Sequence, residues 1–196
     1  MARIGIYSGS FNPIHIGHIT FALQAIELAN LDRVYFLPDR LPPNKAVEHY
    51  AHRVAMIKQA LLPHSKLKVI ELNDVSFRIK TTYPKLKKIF RSDQLVFLFG
   101  ADTASEMIKW PNINILFATT EIIIALRDGY TKKALNKTMA VWPKQPKKVL
   151  IIKAYAPDIS SSKVRQSLGR SEQAGAGLLA SVKRYSNQHW LYISLA

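Results

Sequence analysis

Short runs of apolar, β-favouring residues alternate with longer amphipathic stretches along most of this chain, and that alternation restricts the fold more than any other feature. The runs at 3–7, 33–37, 67–72, 95–99, 121–126 and 149–153 read as strands. Several are apolar throughout rather than at every second position, as expected where helices cover both faces of a parallel sheet. Between them, 18–29, 50–62 and 84–90 carry apolar residues at helical spacing; in the first, Phe21, Ala22, Ala25, Ile26 and Ala29 form one stripe. Strands alternating with helices imply an α/β fold: a doubly wound, Rossmann-like parallel sheet with right-handed crossovers and helices on both faces. A small helical part is expected after the last strand. Ser160, Ser161 and Ser162 offer N-cap hydroxyls to a helix over 163–168, and Gly169, Gly175 and Gly177 punctuate the path to a last helix near 178–185. No linker or internal repeat divides the 196 residues, so 1–196 reads as one domain.

A sheet of this kind binds ligands outside the carboxyl ends of its strands, where strand order reverses. The first strand runs into Gly9-Ser10-Phe11-Asn12-Pro13-Ile14-His15-Ile16-Gly17-His18 and then directly into a helix. Gly9 lets a phosphate approach the backbone, and Pro13 stiffens the turn. His15 and His18 are three apart, so at a helix start they converge on one ligand, with Gly17 leaving room beside it. Imidazoles so placed donate to phosphoryl oxygens and share the positive end of the helix dipole. A single histidine would be read as packing or capping; two in a Gly/Pro-rich turn favour the ligand reading. With no cysteine in the chain and no carboxylate near the pair, a zinc site is disfavoured and no dedicated metal-ligand set is expected. The turn lacks the Gly-Lys-Ser/Thr ending of a Walker loop.

Charge and hydropathy add limits. The formal charge is +15, from 28 Lys and Arg against 13 Asp and Glu, and it favours polyanionic partners. The basic residues are spread over 85–91, 132–153 and 163–184 rather than gathered in a tail, so a solvated basic surface is preferred over a nucleic-acid site. No apolar run approaches the ~18 residues of a membrane span, and the N-terminus lacks a secretory pattern. The reading is a cytoplasmic protein without a membrane partner; a homo-oligomer is left open.

The Gly9–His18 segment resembles the HxGH signature of the nucleotidyltransferase superfamily, and Ile159-Ser160-Ser161-Ser162-Lys163-Val164-Arg165 resembles its second signature, ISSTxxR. The two lie about 140 residues apart, each read as entering a helix. Within that superfamily the chain is most similar to bacterial nicotinate-nucleotide adenylyltransferases. Pro42-Pro43-Asn44-Lys45 resembles a loop ending in PPHK, with Asn44 in place of histidine. His52-Arg53-Val54-Ala55-Met56 resembles a helix start xRxxM, and Gly100-Ala101-Asp102 matches GxD with Trp110 following. Leu126-Arg127-Asp128-Gly129-Tyr130 resembles RPGY; Val182, Tyr185 and Leu191-Tyr192 resemble the family's closing pattern. Around Thr82 the family shows SYTxDT, whereas this chain has Lys80-Thr81-Thr82-Tyr83-Pro84-Lys85.

The resemblance implies adenylyl transfer from ATP to nicotinate mononucleotide, giving deamido-NAD and pyrophosphate, with Mg²⁺ bound through the ATP phosphates. His15, His18 and Arg165 would be the catalytic residues. The ATP site would also comprise Gly9, Ser10, Phe11, Lys45, Gly100, Asp102, Ile159, Ser161 and Ser162. The pyridine nucleotide would be met by Ser10, Phe11, Thr82, Trp110 and Arg127. On their own, Trp110 reads as a half-buried aromatic and Asp102 as a helix cap. Arg127 reads equally as a solvated arginine or an anion ligand, and Trp142 and Trp190 as structural. Two alternatives stay open: another acceptor, either nicotinamide mononucleotide or a phosphopantetheine, and a non-catalytic nucleotide- or RNA-binding protein on the same fold.

Overall fold

The structure is a computed structural model that describes residues 1–43, 45–127, 129–155, 159–168 and 177–192. Asn44, Asp128, Gly169 and Gly175, quoted above, lie outside the described residues. The elements in chain order are β1 (Arg3–Gly9), α1 (Ile16–Leu28), β2 (Arg33–Pro38), α2 (Tyr50–Leu61), β3 (Leu67–Val69), α3 (Thr82–Phe90) and β4 (Gln94–Gly100). They continue with α4 (Ala101–Glu106), a 3₁₀ turn (Met107–Lys109), α5 (Ile113–Thr119), β5 (Glu121–Leu126), α6 (Lys132–Ala140), β6 (Lys148–Lys153), α7 (Ser161–Leu168) and α8 (Ala180–Gln188).

All six strands are parallel, in the order β3-β2-β1-β4-β5-β6. The chain winds outward from β1 in one direction and from β4 in the other, so the reversal of order lies between β1 and β4. Side chains alternate across the sheet. Tyr7, Val34, Phe36, Val96, Leu98, Ile123 and Ala125 pack on one face with α1, α2 and α8. Ile4, Ile6, Leu95, Phe97, Phe99, Ile122 and Ile124 pack on the other with α3, α4, α5 and α6. Two hydrophobic layers thus sandwich the sheet, which explains why its strands are apolar on both faces. At the amino ends, the Arg3 guanidinium donates to Gln94 Oε1 and to both carboxylate oxygens of Glu121, tying β1, β4 and β5 together. Those hydrogen bonds from Arg3 hold the Glu121 carboxyl below the usual carboxylate range. No helix among the described residues is long and apolar enough to cross a membrane.

The six expected strands and the three expected helices between them are present, with shifted ends. β1 runs two residues further, to Gly9, and β3 stops at Val69. Three helices were not expected. α4 starts on the residue after β4 with no intervening turn signal. α5 follows Asn112, which sits at φ 66° and so turns the chain before the helix. α6 buries only Leu135 and has almost no apolar stripe to read. Trp142 is structural, stacked on Phe117 with ring centroids 4.6 Å apart, and Trp190 is exposed.

Candidate active site

The carboxyl ends of β1 and β4 open into a cleft of about 470 Å³. Three helix N-termini border it: α1 through His18, α4 through Gly100 and Asp102, and α7 through Ser160, Ser161 and Ser162. Each presents backbone N–H groups without intrahelical partners and the positive end of a dipole, so the cleft is built for anions. Lys45, Arg127 and Arg165 add cationic side chains; Asp102 is the one carboxylate among the described residues of its lining.

The loop from β1 to α1 forms one wall. Phe11 is buried at φ 45°, a region that bulky side chains rarely adopt. It is held there by bonds to the residues on either side. Arg53, which is completely buried in α2, donates to Ser10 O at 2.6 Å, to Asp39 O and Arg40 O at 2.7 and 2.8 Å, and to Glu48 O at 2.9 Å. Its planar fork thereby fastens three loop segments to one helix. Asn12 Oδ1 accepts from the Glu48 N–H at 3.1 Å and from the Tyr192 hydroxyl at 2.9 Å.

The second wall is clasped to the first. Ser161 Oγ donates to Pro13 O at 2.9 Å, and the Arg165 guanidinium donates to Asn12 O at 2.7 Å and Ser162 Oγ at 3.2 Å. Ser160 caps α7, its hydroxyl accepting from the Lys163 N–H. The two signatures, distant in sequence, therefore flank one opening.

The histidines differ in placement. The His15 N–H donates to His18 Nδ1 at 3.2 Å, so the neutral His18 ring carries its proton on Nε2. The half-buried His18 ring lines the cleft. His15 lies behind it, rings 3.7 Å apart, and lines a chamber of about 20 Å³ instead. Both ring nitrogens of His15 are buried without a partner among the described residues. Burial, with the charge of Arg127 adding to it, lowers the His15 pKa to about 3. Burial first, then the neighbouring His15 and Arg127, holds His18 well below the ordinary imidazole value. Both rings are neutral at pH 7, so the His18 ring carries a neutral Nε2–H available to donate.

Other expected residues divide. Gly9, Ser10, Phe11, Lys45, Gly100, Asp102, Arg127, Ser161, Ser162 and Arg165 line the cleft, while Ile159 lines the chamber with Gly17 and Gly100. Arg127 pairs with Asp102 at 3.1 Å, and a Cβ at Gly100 would collide with that carboxylate. Thr82 does not reach the cleft: it is buried, its hydroxyl accepting from the Arg78 N–H at the start of α3. Trp110 stays outside as well, packed against Phe77 and edge-on to Phe99. Its half-buried position is the structural reading weighed for it above. The residues not anticipated are Tyr7, Ser8, Asn12, Ala46, Val47 and Thr103 in the lining, and Arg53 behind it. Tyr7 could have been found from its place at the carboxyl end of the central strand.

The family model described as Cytidylyltransferase-like matches residues 6–167. The "Probable nicotinate-nucleotide adenylyltransferase" of Bacillus pumilus is 31% identical over 99% of this chain and 100% of its own length. The chain belongs to the nicotinate-nucleotide adenylyltransferase family. It is thus a nucleotidyltransferase by descent. A relative of the same description from Carboxydothermus hydrogenoformans is 34% identical over 85% of this chain and 86% of its own length. The nicotinate-nucleotide adenylyltransferase of Bacillus subtilis is 29% identical over 99% and 100%. Among solved structures, Plasmodium falciparum nicotinic acid mononucleotide adenylyltransferase complexed with NaAD superposes with a TM-score of 0.80, at 20% identity and 98% coverage of both chains. At that identity the likeness is one of fold.

Proposed function

We propose that this chain transfers AMP from ATP to the 5′-phosphate of nicotinate mononucleotide. A non-bridging oxygen of the acceptor phosphate attacks the α-phosphorus in line, a new P–O–P bond forms, and the bond from the α-phosphorus to the α,β-bridging oxygen breaks. Deamido-NAD and pyrophosphate are the products. The observation that carries this reading is the clasp of Arg165 and Ser161 onto the 12–13 backbone, which sets His18 and the α7 N-terminus around one anion-binding opening.

The nucleophile is already an anion, so no general base is required; catalysis rests on positioning and on offsetting charge. His18 Nε2–H donates to the α-phosphoryl oxygen, where charge grows as the leaving bond breaks. Ser161, Ser162, Arg165 and the free N–H groups of α7 hold the departing β,γ-phosphates, and Lys45 adds charge from the facing loop. Ile159, Gly100 and Asp102 border the adenosine side; Ser10, Phe11 and Arg127 stand toward the acceptor. With Asp102 the one carboxylate among the described lining residues, the cleft would suit a Mg²⁺ ion that arrives bound to the triphosphate. That ion would neutralise phosphate charge. The pyridine ring is assigned no contact with Thr82, which is buried away from the opening.

The test is direct. The protein is incubated with ATP, Mg²⁺ and either nicotinate or nicotinamide mononucleotide, and dinucleotide and pyrophosphate are quantified. Deamido-NAD formed in preference to NAD supports the reading. NAD formed faster reassigns the acceptor, and strong salt-dependent RNA binding with neither product would replace the enzyme with a binding protein.

A further inference from the structure

Tyr7 is third from the carboxyl end of β1, and the two residues that follow, Ser8-Gly9, contain no bulk to cover it. Its ring is 8% exposed and fixed by aromatic neighbours: Phe11, Phe21 and Phe36 at centroid distances of 5.3, 5.4 and 5.3 Å, and His18 at 5.9 Å. Tyr7 lines both the main cleft and the small chamber behind His18, so it stands where the two meet. The hydroxyl forms no hydrogen bond with any described residue, although His18, Arg127 and Asp102 border the same openings. A phenol at a cleft wall with no partner among the described residues keeps its O–H free to donate to whatever enters the cleft. Phenylalanine would fill the same aromatic cage without offering that donor.

We propose that Tyr7 is a further nucleotide-binding residue, whose hydroxyl donates a hydrogen bond to an oxygen of the AMP half of ATP beside His18. This rests on the adenylyl-transfer reading for the name of the ligand, though not for the presence of a nucleotide site. Burial keeps the phenol protonated far above neutral pH, so it acts as a donor throughout the working range. The site then offers two neutral donors, His18 Nε2–H and Tyr7 O–H, to the group being transferred, while Lys45 and Arg165 attend the leaving pyrophosphate.

The experiment compares wild type with Tyr7→Phe in the full chain. Binding of α,β-methylene-ATP and of pyrophosphate is measured by calorimetry, thermal midpoints are taken with and without the analogue, and steady-state kinetics are run on both substrates. Expected are an unchanged or raised midpoint without nucleotide and about tenfold weaker binding of the analogue. Pyrophosphate affinity and the acceptor KM stay within about twofold, and kcat/KM for ATP falls about tenfold. Equal analogue affinity in the two proteins overturns the proposal whatever the midpoints do. A variant that loses stability alone makes the hydroxyl structural, and a wild type that does not bind the analogue removes the site altogether. If wild type binds the analogue with the expected difference but makes no dinucleotide, the functional reading fails and the Tyr7 contact stands.

Discussion

Single side chains in this site act through donors held in fixed directions. His18 cannot turn without breaking the bond from the His15 N–H to its Nδ1. Replacing it by alanine is therefore expected to lower turnover ~10²-fold, as loss of a preorganised donor does elsewhere. Glutamine, whose amide reaches the Nε2 position, should recover part of that loss; single-turnover kinetics will compare the three. Arg53 is the structural counterpart. Arg53→Met leaves four carbonyl oxygens without their donor and should reduce the unfolding free energy by about 3 kcal/mol or more, read from denaturant melts. Lysine should not restore it, because an ammonium cannot reproduce the planar fork. The buried imidazoles set an acid limb. The folded pKa of His15, about 3, lies below its unfolded value near 6.5, so the unfolded chain binds more protons between them. The stability that this residue contributes is complete above pH 6.5 and is lost as pH falls toward 3, by at most ~1.4 kcal/mol per pH unit. His15→Gln should flatten the fall of the thermal midpoint over that range.

At the scale of elements, the site depends on how α1 and α7 are fastened to their surroundings. The first N–H of α1, on Ile16, donates to Gly177 O at 2.8 Å. Gly177 has φ 87°, and a Cβ there would come within 2.7 Å of Ile159 Cδ1. Gly177→Ala should cost about 1–3 kcal/mol of stability and, by pushing Ile159 into the chamber, raise the KM for ATP more than the KM for the acceptor. Titrating each substrate at saturation of the other separates the two. The elements also show what sequence makes legible. The strands could be read because burial on both faces leaves them uniformly apolar, and α1 and α2 because each carries a stripe. α4 and α6 could not, since one begins directly after a strand with no turn between and the other is almost wholly solvated. The positions of His18, Ser161, Arg165, Asp102 and Arg127 in the cleft lining were legible because helix starts and strand ends place their side chains regardless of detail. Thr82 and Trp110 were not, because their directions depend on the path of 73–81 and on packing against Phe77 and Phe99. Tyr7 was passed over because, within an apolar run, only its place at the strand's carboxyl end sets it apart.

Across the whole molecule, a formal charge of +15 accompanies an opening whose lining includes Lys45, Arg127 and Arg165. Its field should speed the approach of both substrates without altering the chemical step. Raising ionic strength from about 0.02 to about 0.2 M, which shortens the screening length to below the protein's own radius, should lower kcat/KM for ATP several-fold while kcat holds. Charge of this kind leaves the fold unspecified; the two apolar layers on the sheet do that. The clasp between the 12–13 backbone and α7 joins residues 148 and 153 positions apart, and Tyr192 reaches Asn12 across 180. A nascent chain leaving the ribosome can therefore pair its six strands while still having no grip on a nucleotide. Competence arrives late and abruptly with the closing stretch, and a chain cut short after β6 should be a shelf without a hand.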